Sequence, residues 1–442
     1  MESKKKRQAI ILIHGIGEQH PINTLREFVE NLASYLEHDK KEARANEVVF
    51  WDKPDPISGN FETRKMTMRS GRKHPTTDFY EFYWAQHFRD TRFSHIKDWL
   101  QRLVFRNPVR VAPRLRKVFY FLWFLLLLLM GMAAYGLFTG SLNGWMNWIR
   151  NISGVVMTVV LAYFSHLLFN YLGDAARYLD PSPGNIEERQ KIRTEGVALL
   201  RRLHESKQYN RIVIVSHSLG SVIGYDLVKF LWNEYYRIVD PARIATLIQQ
   251  PEHRALFNQA HASEEAAKLL LNDACSMADY QRAQEASLHY LQQIGNPWLI
   301  TDLVTIGSPL AHAGYLFAQQ KDLFDKLVDQ REYPVNPPHF QAPDRTNLIR
   351  GKQEIVANST HPVQALRFNH SSPFAVTKWT NFYFEKDYVG GPLQPLFGKG
   401  IREEVVQNSV GFSLMPVGHT RYWDRSYPHH ILAGLWEIVE GD

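Results

Sequence analysis

Hydrophobic positions along this chain follow three patterns, and each predicts a different kind of element. Short, mostly apolar runs predict buried strands: "QAIILI" at 8–13, "IVIV" at 212–215 and "LITDLVTI" at 299–306. "WTNFYFE" at 379–385 reads as a further strand, and shorter ones are expected at 47–51, 62–68 and 78–84. Helical spacing is the second pattern. Leu25, Phe28, Val29, Leu32 and Leu36 share one face of a helix expected over 24–36. Other helices are expected at 88–105, 186–204 and 428–439, with "LDPSPGN" as a linker ahead of 186. A helical stretch through about 285 makes 235–295 a candidate cap. Strands alternating with helices predict an α/β fold, a mostly parallel sheet covered on both faces. In such sheets ligands bind beyond the carboxyl ends of the strands.

The third pattern is continuous. Residues 118–138 and 152–172 are two runs of 21 residues, neither containing Asp, Glu, Lys or Arg. Each is long enough to cross about 30 Å of hydrocarbon as a helix. They predict a transmembrane hairpin inserted between residues 1–117 and 173–442, the two parts of one α/β domain. The competing reading is a pair of very apolar helices forming a lid or a dimer interface. Trp145 and Trp148, in the connector, suit an aromatic belt. Six Lys or Arg lie between Arg102 and Lys117, so both ends of the hairpin are expected on the cytoplasmic side. The start "MESKKKRQAIILIHG" is not a signal peptide, because its apolar stretch is short and leads into a motif. An integral membrane protein whose remaining mass lies on the cytoplasmic side is the expectation. His166 and Asn170 share a face of the second run, where packing against the first helix is the simpler role.

Composition changes little in this picture. The net charge of +6 could suit nucleic acid, but many of the basic residues sit before the first apolar run and no nucleic-acid signature accompanies them. The single cysteine, Cys275, excludes an internal disulfide. No Cys/His cluster has zinc spacing, and neither metal nor cofactor is expected.

Three polar motifs fall at predicted strand ends: "HGIG" after 8–13, "SHSLG" after 212–215 and "KDYV" after 379–385. A serine hydroxyl is a weak nucleophile until a base takes its proton. One solution is G-x-S-x-G on a sharp strand-to-helix turn, where small flanks let strand and helix approach. Here Ser218 is central, Gly220 follows and Ser216 stands for the first glycine. The competing reading is a serine-lined helix N-terminus. An oxyanion donor is expected from the Leu219 amide at the helix start. A second is expected from the Ile16 amide in the loop built by His14, Gly15 and Gly17. A dinucleotide loop is a rival for "HGIGEQH", but its third glycine position holds His20. In the order serine, acid, base, Asp387 is the candidate acid and His419 the candidate base. Asp226 and Asp424 are weaker alternates, and Asp302 lies within a strand.

At these segments the chain resembles the α/β-hydrolases, and more narrowly the DDHD-type phospholipase A1 group. The resemblance rests on "IHGIG", "SHSLGSVIGYD", "IGSPL", "NFYFEKDYVGGPLQPL" and "GHTRYWD". Asn381, Asp387, Val389, Pro392, His419, Tyr422 and Trp423 stand at the matching places. It omits the hairpin and is weak between 235 and 295, and Tyr388 stands where a proline often follows the acid. The resemblance implies an α/β-hydrolase fold, a serine nucleophile and an acyl-ester, phospholipid-like substrate. The resulting expectation is a membrane-anchored serine esterase or lipase using Ser218, Asp387 and His419, with no nucleic-acid partner. The alternative class is a non-catalytic hydrolase-like scaffold that binds lipid or a protein partner.

Overall fold

The structure is a computed structural model. It describes residues 7–16, 20–39, 50–60, 62–69, 74–88, 177–179, 183–250, 253–318, 320–338, 368–406, 419, 422–423 and 430–441, with scattered positions between 107 and 134. The described strands are β1 (Arg7–Ile13), β2 (Phe50–Pro54), β3 (Arg64–Met68), β4 (Thr76–Phe82), β5 (Arg211–His217), β6 (Ile300–Ile306), β7 (Lys378–Phe384) and β8 (Ile401–Val406). They form one sheet in the order β2-β3-β4-β1-β5-β6-β7-β8. From β4 to β8 every neighbour is parallel, while β2, β3 and β4 pair antiparallel. The first four strands precede the apolar runs at 118–172 and the last four follow them, so both flanks build one sheet.

The described helices of eight residues or more are α1 (Asn23–Asp39), α2 (Pro183–Glu205), α3 (Leu219–Tyr235), α4 (Pro241–Ile248), α5 (His253–Leu271), α6 (Met277–Gln293), α7 (Lys321–Asp329) and α8 (His430–Glu440). They cover both faces, which is why the central strands are apolar without alternation. Ile11, Ile13, Ile212, Ile214 and Leu303 share a core with Leu199, Leu200 and Leu203 of α2 and Val222 and Ile223 of α3. Ile10, Leu12, Val213, Val215 and Val304 share the other with Leu25, Phe28 and Leu32 of α1 and Leu435 of α8. At about 1.5–3 kcal/mol for each fully buried aliphatic side chain, these two layers are the main stabilising term.

Several sequence expectations shift. Helix α2 begins at Pro183, inside the segment expected as linker, because proline fits a helix's first turn, where its missing N–H would have no partner. β8, "IREEVV", carries charged residues in an edge strand that pairs on one side with β7, so it lacks the apolar run that signals a central strand. Most of the helix expected at 88–105 lies outside the described residues, and Ala85–Phe88 is a 3₁₀ turn.

The helices of 235–295 lie away from the rim where they would form a cap. In α6, Gln284 donates to the carbonyls of Phe374 and Thr377, and Glu285 pairs with Lys378 at 2.7 Å. Gln292 donates to the Trp298 carbonyl. These partners sit at the amino ends of β6 and β7, opposite to the end where β5 meets α3.

Of the apolar runs, 152–172 lies outside the described residues, with His166 and Asn170, as do Trp145 and Trp148. The described positions between 116 and 134 are helical, and Tyr120, Phe124, Leu127 and Met130 are exposed. Among the described residues, no helix is long and apolar enough to cross a membrane.

Candidate active site

Parallel neighbours in register bring several strand ends to one rim. Ile13 of β1 pairs with Ser216 of β5, Ser216 with Thr305 of β6, and Ile306 with Phe382 of β7. The residues that follow these strands therefore meet.

Ser218 occupies the turn between β5 and α3 with φ 51° and ψ −129°. A serine N-cap is usually extended and its oxygen accepts from the helix amides. Here the side chain makes no cap hydrogen bond, which removes the capped-helix reading. Positive φ costs a residue with a Cβ of order 1–3 kcal/mol and persists where surrounding packing imposes it. That packing is visible. A Cβ on Gly220 would lie 2.4 Å from the carbonyl oxygens of Ile13 and His14, so the start of α3 rests directly on the end of β1. A Cβ on Gly15 would lie 2.9 Å from the Ser218 Cβ. The Ser218 amide donates to the Ile306 carbonyl, and the Ser221 hydroxyl lies 2.5 Å from the Ser218 carbonyl and 2.6 Å from Ser308 Oγ. Ser216 is a buried flank whose hydroxyl donates to the Val304 carbonyl.

The Ser218 hydroxyl lies 2.8 Å from His419 Nε2, and His419 Nδ1 lies 2.8 Å from Asp387 Oδ2. An ionised carboxylate only accepts, so Nδ1 carries the proton and Nε2 is left to accept from serine. Asp387 follows β7 and also accepts from the Tyr422 hydroxyl at 2.6 Å and the Val389 amide at 2.9 Å. Burial works against its charge, but the bonds from His419, Tyr422 and Val389 hold its pKa down to about 2. It is therefore ionised at neutral pH. The residues predicted from sequence as nucleophile, base and acid thus form one hydrogen-bonded line, although Ser218 and His419 are 201 positions apart in the chain.

The expected oxyanion donors flank the same serine. Leu219 is the first residue of α3, so its amide has no acceptor within the helix. Ile16 follows Gly15, the residue packed against Ser218. His14 does not reach the serine. It is buried, donates from Nδ1 to the Gly15 carbonyl at 2.8 Å and stacks on Trp84. Burial, only partly opposed by that bond, lowers its pKa to about 4. The Trp84 indole N–H donates to the His14 carbonyl. Gly17 lies outside the described residues. Further along, Ile22 has φ 74°, and its amide donates to Glu81 Oε2 at 2.5 Å. Glu81 is buried on β4 and its Oε1 has no partner among the described residues. Burial, against the pull of the Ile22 amide, raises its pKa to about 7.

The alternate acids sit elsewhere. Asp226 accepts from Tyr178 and Arg193 within the α2–α3 packing. Asp302 pairs with Arg211 at the amino end of the sheet, and Asp424 lies outside the described residues.

Sequence reasoning gave no role to three residues that touch this site. The Tyr422 hydroxyl accepts from the Phe384 amide while donating to Asp387. His217 contacts His419. Gly307 has φ 56°, and a Cβ there would lie 2.6 Å from Tyr422 Cε2 and 3.0 Å from His419 Cε1. A glycine directly after a buried strand, in "IGSPL", was the available signal for the last. Compared with known proteins, the chain matches no family model, no curated protein and no solved structure.

Proposed function

We propose that this chain is a serine hydrolase of the α/β-hydrolase type, related to the DDHD-type phospholipase A1 group, and that it cleaves carboxylic (acyl) esters of lipids. The observation that carries the reading is the line Ser218–His419–Asp387 on a strained strand-to-helix turn. In this reading Ser218 Oγ attacks the acyl carbonyl while His419 Nε2 takes its proton. Negative charge developing on the carbonyl oxygen is met by the Leu219 and Ile16 amides. The protonated His419 then gives its proton to the leaving alcohol, which leaves an acyl-Ser218 ester. Water, deprotonated by His419, attacks that ester and releases the acid and the free serine. Asp387 keeps its charge throughout and holds the imidazole in the tautomer that accepts from serine. No step calls for a metal or cofactor.

The finer parts of the reading rest on sequence. The charge-free runs at 118–138 and 152–172 support a hairpin anchor, and the exposed apolar positions between Tyr120 and Met130 agree with an apolar partner such as lipid. The basic residues before the first run support a cytoplasmic catalytic domain. A membrane anchor favours a substrate already in the bilayer.

One experiment tests these parts together. Membranes from cells expressing the chain are washed with alkaline carbonate and exposed to a fluorophosphonate probe. Wild type should be labelled in the pellet, and Ser218→Ala should not be labelled. Equal labelling of both overturns the role of Ser218. A folded wild type that takes no label favours the non-catalytic scaffold. Release of labelled protein into the supernatant overturns the anchor.

A further inference from the structure

His217 stands between the two serines of the turn, on the other face of β5. Strand alternation places Ile212, Ile214 and Ser216 on one side and Val213, Val215 and His217 on the other. There the ring of His217 lies 5.1 Å from His419 and packs edge-on against Trp423 at 5.0 Å and Tyr422 at 5.8 Å. Its Nε2 is 2.9 Å from the backbone carbonyl of His419. A carbonyl only accepts, so Nε2 is protonated and donates. Burial, reinforced by the neighbouring His419, lowers the His217 pKa to about 3, and the ring is a neutral, single-tautomer donor at neutral pH.

The partner of that bond gives it its significance. His419 must meet Ser218 through one ring nitrogen and Asp387 through the other, and its backbone sets where the ring can reach. Tyr422 and Trp423 hold the segment three and four residues further on, through Asp387, the Phe384 amide and the ring of Phe28. Among the described residues, His217 is the side chain that bonds the backbone of His419 itself. His217 is also the residue next to Ser218. The bond therefore ties the base to the nucleophile's own turn, with one rigid strand end as their common reference.

We propose that His217 is a positioning residue of this site: its Nε2–H holds the His419 carbonyl so that the imidazole meets Ser218 and Asp387 together. The proposal rests on the hydrolase reading above. A displacement of about 1 Å in such a line can cost on the order of 100-fold in rate.

Two substitutions of matched size isolate the N–H. His217→Gln places an amide N–H where Nε2 stood, and His217→Met has a similar length without a donor. Both lose the ring packing, so their difference reports the hydrogen bond. Measured on p-nitrophenyl butyrate, His217→Met should lose about 10–100-fold in kcat with KM within about twofold. His217→Gln should keep kcat within about fivefold of wild type, and the two should melt within a few degrees of each other. The low-field proton resonance of the His419 Nδ1–H···Asp387 bond should persist in His217→Gln and vanish in His217→Met. If His217→Met does not fold, His217→Asn, whose amide is too short to reach, takes its place with the same expected loss. Equal kcat in the donor and non-donor variants, or a low-field proton unchanged in both, overturns the positioning role. A wild type that neither turns over nor takes a fluorophosphonate, but whose low-field proton follows this pattern, keeps the positioning role and overturns the hydrolase reading.

Discussion

Replacing Glu81 by glutamine is expected to stabilise the protein in mild alkali and to change it little in acid. Glu81 is 3% exposed and its pKa is raised from 4.5 to about 7, burial being the cause and the Ile22 amide the opposing influence. A carboxyl with a raised folded pKa binds its proton more tightly in the folded state than in the unfolded one. Stability is then full below the unfolded value, falls as pH rises from about 4.5 to 7 and stays low above that. At about 1.4 kcal/mol per tenfold change in proton affinity, the cost of the charged form reaches about 3 kcal/mol by pH 8. Glutamine cannot ionise, and its oxygen can still accept from the Ile22 amide. Its NH₂ group takes the place of Oε1, which has no partner among the described residues, as the O–H of the protonated acid would. The stability difference between Glu81→Gln and wild type should therefore grow by about 2–3 kcal/mol between pH 5 and pH 8. For a chain of 442 residues this is about 2–3 °C in melting temperature, from roughly 2 cal/mol/K of unfolding entropy per residue. Paired melts of both proteins at pH 5, 6, 7 and 8 measure it, and the comparison cancels every titration they share. A pH-independent difference, or a variant less stable than wild type at pH 8, would refute the assignment of a costly buried charge to Glu81.

Two further outcomes follow from the site geometry. Asp387→Asn removes the charge that fixes the His419 tautomer, and should lower kcat by about 10³–10⁴-fold while the chain stays folded; burst labelling and circular dichroism on one sample check both halves. Gly307→Ala puts a Cβ 2.6 Å from Tyr422 and 3.0 Å from His419 at a positive φ. It should cost about 1–2 kcal/mol of stability from the backbone alone and at least tenfold in kcat, read by denaturant titration beside steady-state rates.

Most sheet strands were legible because a strand buried on both faces must be apolar throughout, as "AIILI" and "IVIV" are. β8 was not, because an edge strand pairs on one side and tolerates Arg402, Glu403 and Glu404. The start of α2 was misplaced because Pro183, usually a breaker, is neutral in a first turn. The cap expected at 235–295 failed for a different reason. Helical composition says that a helix forms, whereas the choice of rim depends on partners such as Phe374, Thr377 and Lys378, about ninety residues away.

For the site, sequence alone determined the local pattern: a serine on a strand-to-helix turn, a glycine loop before it, and an aspartate and a histidine late in the chain. Those features depend on near neighbours, and short-range order is written in short stretches. Tertiary structure decided which of them meet. It set Asp387 and not Asp226 or Asp302 beside His419, turned His14 away from the serine and brought His217 onto His419 and Tyr422 onto Asp387. Those choices follow from parallel register, which aligns the ends of β1, β5, β6 and β7 on one rim, and from glycines whose missing Cβ atoms let the loops approach. Register and close approach are properties of packed pairs of segments, so no single stretch of this chain contains them.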